Sequence, residues 1–494
     1  MQRIEHWIGG QATPGTSGRT SPVYDPARGE QAAEVALASA DEVGRAVDVA
    51  AAAFEGWGTS SLSTRTRAMF RLRELVDAHT DDLARLVVAE HGKVLDDARG
   101  EVARGLECIE FACGIPTLLK GAVSTEVSTG VDVRTVHEPL GVVAGITPFN
   151  FPVMVPLWML ANAVACGNTF VLKPSEKDPS ASVLLAELVT EAGFPGGVVN
   201  VVHGDVEAVQ ALLAHPDVAA VSFVGSTPVA RSIHETATAN GKRVQALGGA
   251  KNHMVVLPDA DLDAAADAAI NAAYGSAGER CMAISVVVAV GEVADPLVEA
   301  IRERIPSVKI GPGTEDGSMM GPLVTAEHRD KVRSYVDGAD AEGATVVADG
   351  TEGVPEQGFF LGCALLDHVK PGMRAYEDEI FGPVLSVVRV PTFDDAVELV
   401  NANPYGNGTA VFTRDGGAAR RYEREIQVGM VGVNVPIPVP VAWHSFGGWK
   451  ASIFGDSAIY GPEGVHFYTR PKVVTTRWPD PATSEIDLGF PTTA

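Results

Sequence analysis

Cys281 stands in the run Gly275-Ser276-Ala277-Gly278-Glu279-Arg280-Cys281-Met282, after a helical apolar stretch and before a β-forming one. A thiol beside a guanidinium has a positive charge near enough to depress its pKa and favour the thiolate, the form that attacks carbonyl carbon. A small buried hydrophobe is the competing reading, and it is the one assigned to Cys108, Cys113, Cys166 and Cys363, which lack such a flank. Asn150 lies in Thr147-Pro148-Phe149-Asn150-Phe151-Pro152, directly after the apolar run Gly141–Ile146. An amide at the carboxyl end of a buried strand can donate N–H to a developing oxyanion, and a turn asparagine held by prolines reads equally well. Lys173-Pro174-Ser175-Glu176 follows another strand end, where lysine and glutamate suit ribose hydroxyls. Gly225-Ser226-Thr227 closes a third strand and opens a helix, so its N–H groups could receive a pyrophosphate, although no GxGxxG is present. Glu379 and Phe381, in Glu377-Asp378-Glu379-Ile380-Phe381-Gly382-Pro383, add a carboxylate and an aromatic on a turn before the Val384–Val390 strand.

These residues need a frame that sets several strand ends side by side. From 141 to 239 short apolar strands alternate with helices: 141–146, 169–172, 197–202 and 218–224 against 155–165, 180–191, 206–213 and 228–239. Such alternation means parallel βαβ units with both sheet faces covered. A second α/β set starts after Gly248, with strands at 254–257 and 284–290 and helices at 262–274, 295–304 and 326–341. Upstream, helical periodicity covers 41–57, 62–90 up to a Gly92 stop, and about 94–111, while 123–136 has a hairpin signature. Residues 465–476 alternate β-formers and read as a strand needing a partner.

With 494 residues the chain exceeds one compact core, so two or more domains are expected. The formal net charge of −25 repels phosphate backbones and argues against nucleic-acid binding. The four arginines between Arg65 and Arg73 read as a solvated helix face. Five irregularly spaced cysteines with no CxxC point to a reducing compartment and to no metal site. The N-terminus has no layout of a signal or transit peptide, which makes the cytoplasm the expected location. The uncharged run Pro139–Leu172 is long enough to span a bilayer, but Pro148, Pro152 and Pro156 with three asparagines favour strand, loop and helix in a protein interior.

PFNFP, LKPSE, FVGST, the GERC cysteine and EDEIFGPV occur in an order and spacing that resembles the NAD(P)-dependent aldehyde dehydrogenase superfamily along nearly the whole chain. Val244-Gln245-Ala246-Leu247-Gly248-Gly249-Ala250-Lys251-Asn252-His253 together with GERCM look like its CoA-acylating methylmalonate- and malonate-semialdehyde dehydrogenases. The resemblance implies an α/β fold of two doubly wound domains plus a small β oligomerisation extension. By matching position these are a NAD-binding domain (1–120 and 138–247), a catalytic domain (248–447) and the extension (121–137 and 465–494). It also implies homodimers or homotetramers, NAD as cofactor and coenzyme A as co-substrate. Carried over residue by residue, Cys281 is the nucleophile and Asn150 an oxyanion donor. Thr147, Phe149, Lys173, Glu176, Lys177, Ser226 and Gly248 line the cofactor site, with Glu379 on the nicotinamide ribose and Phe381 beside it.

Two departures from the family pattern stand out. Hydrolytic members carry a water-activating glutamate just before Gly-Gly-Lys; here that place falls on Ala246 or Leu247, and no Asp or Glu occurs between Lys242 and Pro258. Ala230 replaces a glycine common after FxGST and is expected to crowd the pyrophosphate loop slightly. Arg280, next to the nucleophile, and Arg104, on the helix matching the one bordering the family's substrate tunnel, form the expected clamp for a substrate carboxylate. The implied reaction is oxidation of a malonate-type semialdehyde through a Cys281 thioester, release of the acyl group to CoA and loss of CO₂ to give acetyl-CoA or propionyl-CoA. Two alternatives compete: a hydrolytic aldehyde dehydrogenase with another base, Glu279 being the acid nearest the cysteine in sequence, and a binding protein that has lost catalysis.

Overall fold

The structure is a computed structural model that describes residues 2–478, 481–483, 486 and 488. Two large sheets and three small ones organise the described residues. The first has eight strands, and its centre is the parallel set Arg243–Leu247, Val218–Val224, Val142–Ile146, Thr169–Lys173 and Val199–Val201, in that spatial order. Every residue of Val142–Ile146 and of Thr169–Lys173 is buried, as expected for strands sandwiched by helices. Register then fixes where the chemistry falls. Val224 lies opposite Leu247, Phe223 opposite Ile146, and Ile146 opposite Lys173. Thr147, Lys173, Gly225 and Gly248 therefore leave one carboxyl edge together.

The second sheet has seven strands, parallel except for the edge strand Thr345–Asp349. Its central pair, Asn252–Val256 and Ile284–Val290, flanks the turn that carries Cys281. The third is a separate antiparallel sheet of Ala122–Ser128, Val131–Pro139 and Thr469–Arg477, so the C-terminal strand finds its partner in the hairpin. Val123, Val136 and Val473 stay exposed there.

Met154–Ala165 explains the uncharged run: all twelve of its residues are buried, packed against Leu95–Cys113. Among the described residues no helix is long and apolar enough to cross a membrane.

Several expectations need correction. The stretch 62–90 is two helices, Leu62–Ala78 and Thr80–His91, broken where His79 leaves helical geometry and its ring takes the Leu75 carbonyl. Residues 465–467 close the helix Gly461–Phe467, because Pro462 sets φ for a first turn; the strand starts only at Thr469. Part of the expected extension, 479–480 and most of 484–494, lies outside the described residues. Arg65 is not solvated: it is 7% exposed and donates from Nη1 to the Ala165 carbonyl at 3.0 Å, closing the end of the buried helix.

Candidate active site

Cys281 leaves the helix Leu262–Tyr274 through a tight turn in which Ser276 (φ 52°) and Ala277 (φ 51°) adopt left-handed backbone without being glycine. Such strain survives only where the surroundings over-determine it. Here Gly278 (φ 73°) lies against the Gly382 carbonyl so closely that a Cβ would come within 2.2 Å of it. The nucleophile turn and the Glu379–Phe381 turn are thus packed backbone on backbone. Two asparagines lock the outgoing side: Asn252 Nδ2 and Asn407 Nδ2 donate to the Cys281 carbonyl at 2.9 and 3.0 Å. Neither residue was assigned a role from sequence, and only Asn252 lay in a motif at all.

Asn150 is 3% exposed and donates one Nδ2–H to the Glu279 carbonyl at 2.9 Å, two residues before the thiol. Its second Nδ2–H remains for a ligand. Thr147 joins neighbouring strand ends, its N–H donating to the Lys173 carbonyl at 3.1 Å, while its buried Oγ1 has no partner. Phe149 sits edge-on to Phe381 at 5.9 Å between ring centroids, with Lys177 Nζ over its face at 4.6 Å. Lys173 Nζ and Glu176 Oε2 are 3.4 Å apart. Ser226 is an exposed N-cap whose side chain makes no capping bond. Gly248 faces the Ala451 carbonyl so closely that a Cβ would lie 2.8 Å from it, and its N–H donates to Ser452. Ala230 packs its methyl into the apolar cluster of Ile146, Val221 and Phe223.

Glu379 is held by the Ala250 N–H at 2.8 Å, and burial raises its carboxyl to about 7. Lys251, assigned no role of its own from sequence, supports that turn: buried, it donates to the Ala375 and Asp378 carbonyls at 2.8 and 2.6 Å. Burial also pushes the half-buried Cys281 thiol up, to about 12, and the Glu379 charge adds to this. The Cys281 and Met282 N–H groups and Arg280 pull the other way and lose. The expected depression by Arg280 is therefore overturned. The guanidinium is already neutralised, Nη2 lying 2.6 Å from Asp97 Oδ1. The other four cysteines are buried, and burial raises each thiol.

Beside Cys281 lies a cavity of about 260 Å³ lined by both Arg104 and Arg280, with Phe151, Trp158 and Phe446 as apolar walls. The two arginines do share a pocket with the thiol, but not as free cations. Arg104 binds Glu107 at 2.7 Å and the Pro440 carbonyl at 2.6 Å. Glu279 does not line this cavity or the narrower one shared by Cys281 and Glu379. It is fully buried behind the turn, 3.8 Å from His91 and 3.7 Å from His328, and burial raises it to about 8. Sequence adjacency misled: Arg280 and Cys281 line the cavities, while Glu279 turns away from both. The acids lining the two cavities are Asp97, Glu101 and Glu379. Each has one oxygen bound, to Arg280, to Lys93 and to the Ala250 N–H respectively, while Asp97 Oδ2 is buried without a partner.

A thiol on a cavity wall, an amide donor bonded to the same turn and a row of neighbouring strand ends are the parts an enzyme acting on a carbonyl needs. Residues 13–474 match the aldehyde dehydrogenase family, and the chain belongs to that family of oxidoreductases. It is 53% identical to a malonate-semialdehyde dehydrogenase of Pseudomonas aeruginosa, over 99% of this chain and 100% of that one. A malonate-semialdehyde dehydrogenase of Halalkalibacterium halodurans is 48% identical, over 97% and 99%. Among solved structures, a proposed methylmalonate-semialdehyde dehydrogenase of Sinorhizobium meliloti in complex with NAD superposes with a TM-score of 0.96 at 50% identity, covering 98% of this chain and 99% of that one. The methylmalonate-semialdehyde dehydrogenase of Oceanimonas doudoroffii gives 0.96 at 53%, covering 98% and 100%. The resemblance read from the motifs is borne out in family and in nearest named class.

Proposed function

We propose that the protein oxidises malonate semialdehyde or methylmalonate semialdehyde with NAD and passes the acyl group to coenzyme A, releasing CO₂ and acetyl-CoA or propionyl-CoA. The observation that carries the acyl-transfer reading is that Ala246 and Leu247 are buried apolar residues where a water-activating glutamate would stand; among the described residues, each acid that lines a cavity with Cys281 has at least one oxygen bound to another group. The residues fit a dinucleotide. Four neighbouring strand ends open on one edge, and the buried Thr147 hydroxyl lacks a partner. Thr147, Phe149, Lys173, Glu176, Lys177, Ser226, Gly248, Glu379 and Phe381 would hold it, and bound NAD supplies the hydride acceptor.

The chain's own work follows from the geometry. Cys281 sulfur, its proton lost to solvent water, attacks the aldehyde carbon, and the new oxyanion is received by the second Asn150 Nδ2–H and the Cys281 N–H. Loss of hydride leaves a thioester on Cys281; its β-carboxylate then departs as CO₂, the electron pair passes into a thioester enolate held by the same donors, and a proton from solvent at the α-carbon gives the acetyl or propionyl thioester. The thiolate of CoA adds to the same carbonyl, the same donors hold the charge, and Cys281 departs as the leaving group. Arg280 and Arg104 receive the substrate carboxylate once Asp97 and Glu107 yield them. We assign 1–120 and 138–247 to the cofactor domain, 248–447 to catalysis, and the extension of 121–137 and 465–494, with its exposed strands Ala122–Ser128 and Thr469–Arg477, to a homodimer or homotetramer contact in the cytoplasm. Mass analysis of products from malonate semialdehyde, NAD and CoA tests the reading: acetyl-CoA is expected, and free malonate as the main product would overturn it.

A further inference from the structure

Lys93 and Glu101 are almost wholly buried, 1% and 3% exposed, and face each other with Nζ 2.8 Å from Oε2. Burying two charges costs more than a well-packed apolar pair of the same volume, so such a pair needs a use beyond stability. Besides the bond between them, both side chains serve one short segment, residues 150–154. Lys93 Nζ donates to the Asn150 carbonyl at 2.7 Å and lies over the Phe151 ring at 4.3 Å. Glu101 Oε1 accepts from the Val153 and Met154 N–H groups at 2.8 and 3.2 Å. These N–H groups begin the buried helix Met154–Ala165, whose own N-cap, Val153, offers no side-chain bond. Glu101 therefore caps that helix from another helix, and a carboxylate is the favoured partner there. Without it those donors would be left orphaned inside the protein.

The segment held this way carries the Asn150 amide, whose Nδ2 reaches across to the Glu279 carbonyl on the nucleophile turn. Asn150 is thus gripped from both ends, its backbone by Lys93 and its side chain by the turn of Cys281. We propose that Lys93 and Glu101 are positioning residues that set where the Asn150 amide stands relative to Cys281, and so set its strength as an oxyanion donor. This rests on the reading of Asn150 given above. Neither residue touches the reacting atoms; both act through the 150–154 segment.

The test is the rate of NADH formation in a single turnover with propanal, which depends neither on the semialdehyde nor on CoA. Lys93→Met/Glu101→Gln removes both charges together, and the new amide oxygen can still accept from Val153 and Met154. Removing an oxyanion donor typically costs about 10²–10³ in rate, so Asn150→Ala is expected to lose that much. The double variant, which displaces the donor, is expected to lose roughly ten- to a hundredfold. On an Asn150→Ala background the same replacement should change the rate by less than about twofold, since coupled residues are not additive. Alkylation of Cys281 by iodoacetamide, which forms no oxyanion, should be unaffected. Equal losses in both backgrounds, or a parallel loss of alkylation, overturn the proposal. If Asn150→Ala itself is silent, the oxyanion assignment falls and the proposal falls with it. If the double variant does not fold, Glu101→Gln alone takes its place; if that too fails to fold, the pair serves stability and the proposal is refuted.

Discussion

The raised thiol of Cys281 makes the free enzyme's nucleophile slow toward ordinary electrophiles. Its pKa is pushed from 9.0 to about 12, so at neutral pH the thiolate fraction is about a thousandfold smaller than for an unperturbed cysteine. A more basic thiolate is intrinsically more nucleophilic, with a Brønsted slope near 0.4–0.5, which returns roughly 15- to 30-fold. The net expectation is alkylation by iodoacetamide roughly thirty- to seventyfold slower than for a free cysteine at pH 7.5. The rate should climb tenfold per pH unit through pH 10 without levelling. Glu379→Gln removes the second cause of the shift and should accelerate alkylation above pH 7, where the wild-type carboxyl ionises. Mass spectrometry of the labelled peptide, with Cys281→Ala as control, reads the site directly. A plateau between pH 7 and 9, or a rate equal to that of free cysteine, would refute the electrostatic account of this turn.

Three further outcomes follow from the geometry. Arg280→Lys should raise KM for semialdehydes by about ten- to a hundredfold, the worth of a charged hydrogen bond, and leave propanal nearly unchanged; Asp97→Asn, which frees Arg280, should lower KM for semialdehydes only. Glu279 has a folded-state pKa of about 8 against an unfolded value near 4.5, so the fold loses free energy as pH rises above 4.5 and levels off beyond about 8. Glu279→Gln should therefore gain in thermal stability over wild type at pH 9 relative to pH 5, by up to about 4 kcal/mol, and equal gains at both pH values would count against the shift. NAD should be preferred to NADP because the Glu176 carboxylate stands where a 2′-phosphate would be repelled, and Glu176→Gln should narrow the kcat/KM ratio.

What was legible in the sequence was local. Cys281, Asn150, Lys173 and Ser226 follow runs whose apolar pattern already marks strand ends, and parallel strands must align those ends. The electrostatics were not legible, because they depend on groups far apart in the chain. Arg280 is silenced by Asp97, 183 residues away, and Asn150 is held by Lys93, 57 residues away. Asn407 anchors Cys281 across 126 residues from a loop with no motif of its own. Glu279 misled for the opposite reason: it is adjacent to the site in sequence and behind it in space. The first 40 residues carry three strands of one small sheet and two of the main sheet, yet Gln2–Ile4 and His6–Ile8 are too short for any periodicity to show.

The central claim is that CoA, and not water, releases the acyl group from Cys281. Water needs a positioned base worth about 10²–10⁴ in rate, whereas a thiol with pKa near ~8.5 is already a strong nucleophile at neutral pH. Rapid-mixing measurement of NADH from malonate semialdehyde, with and without CoA, decides it. One burst equivalent to the enzyme concentration without CoA, and steady turnover once CoA is added, is the expected result; steady turnover without CoA would contradict it and reveal a base that activates water.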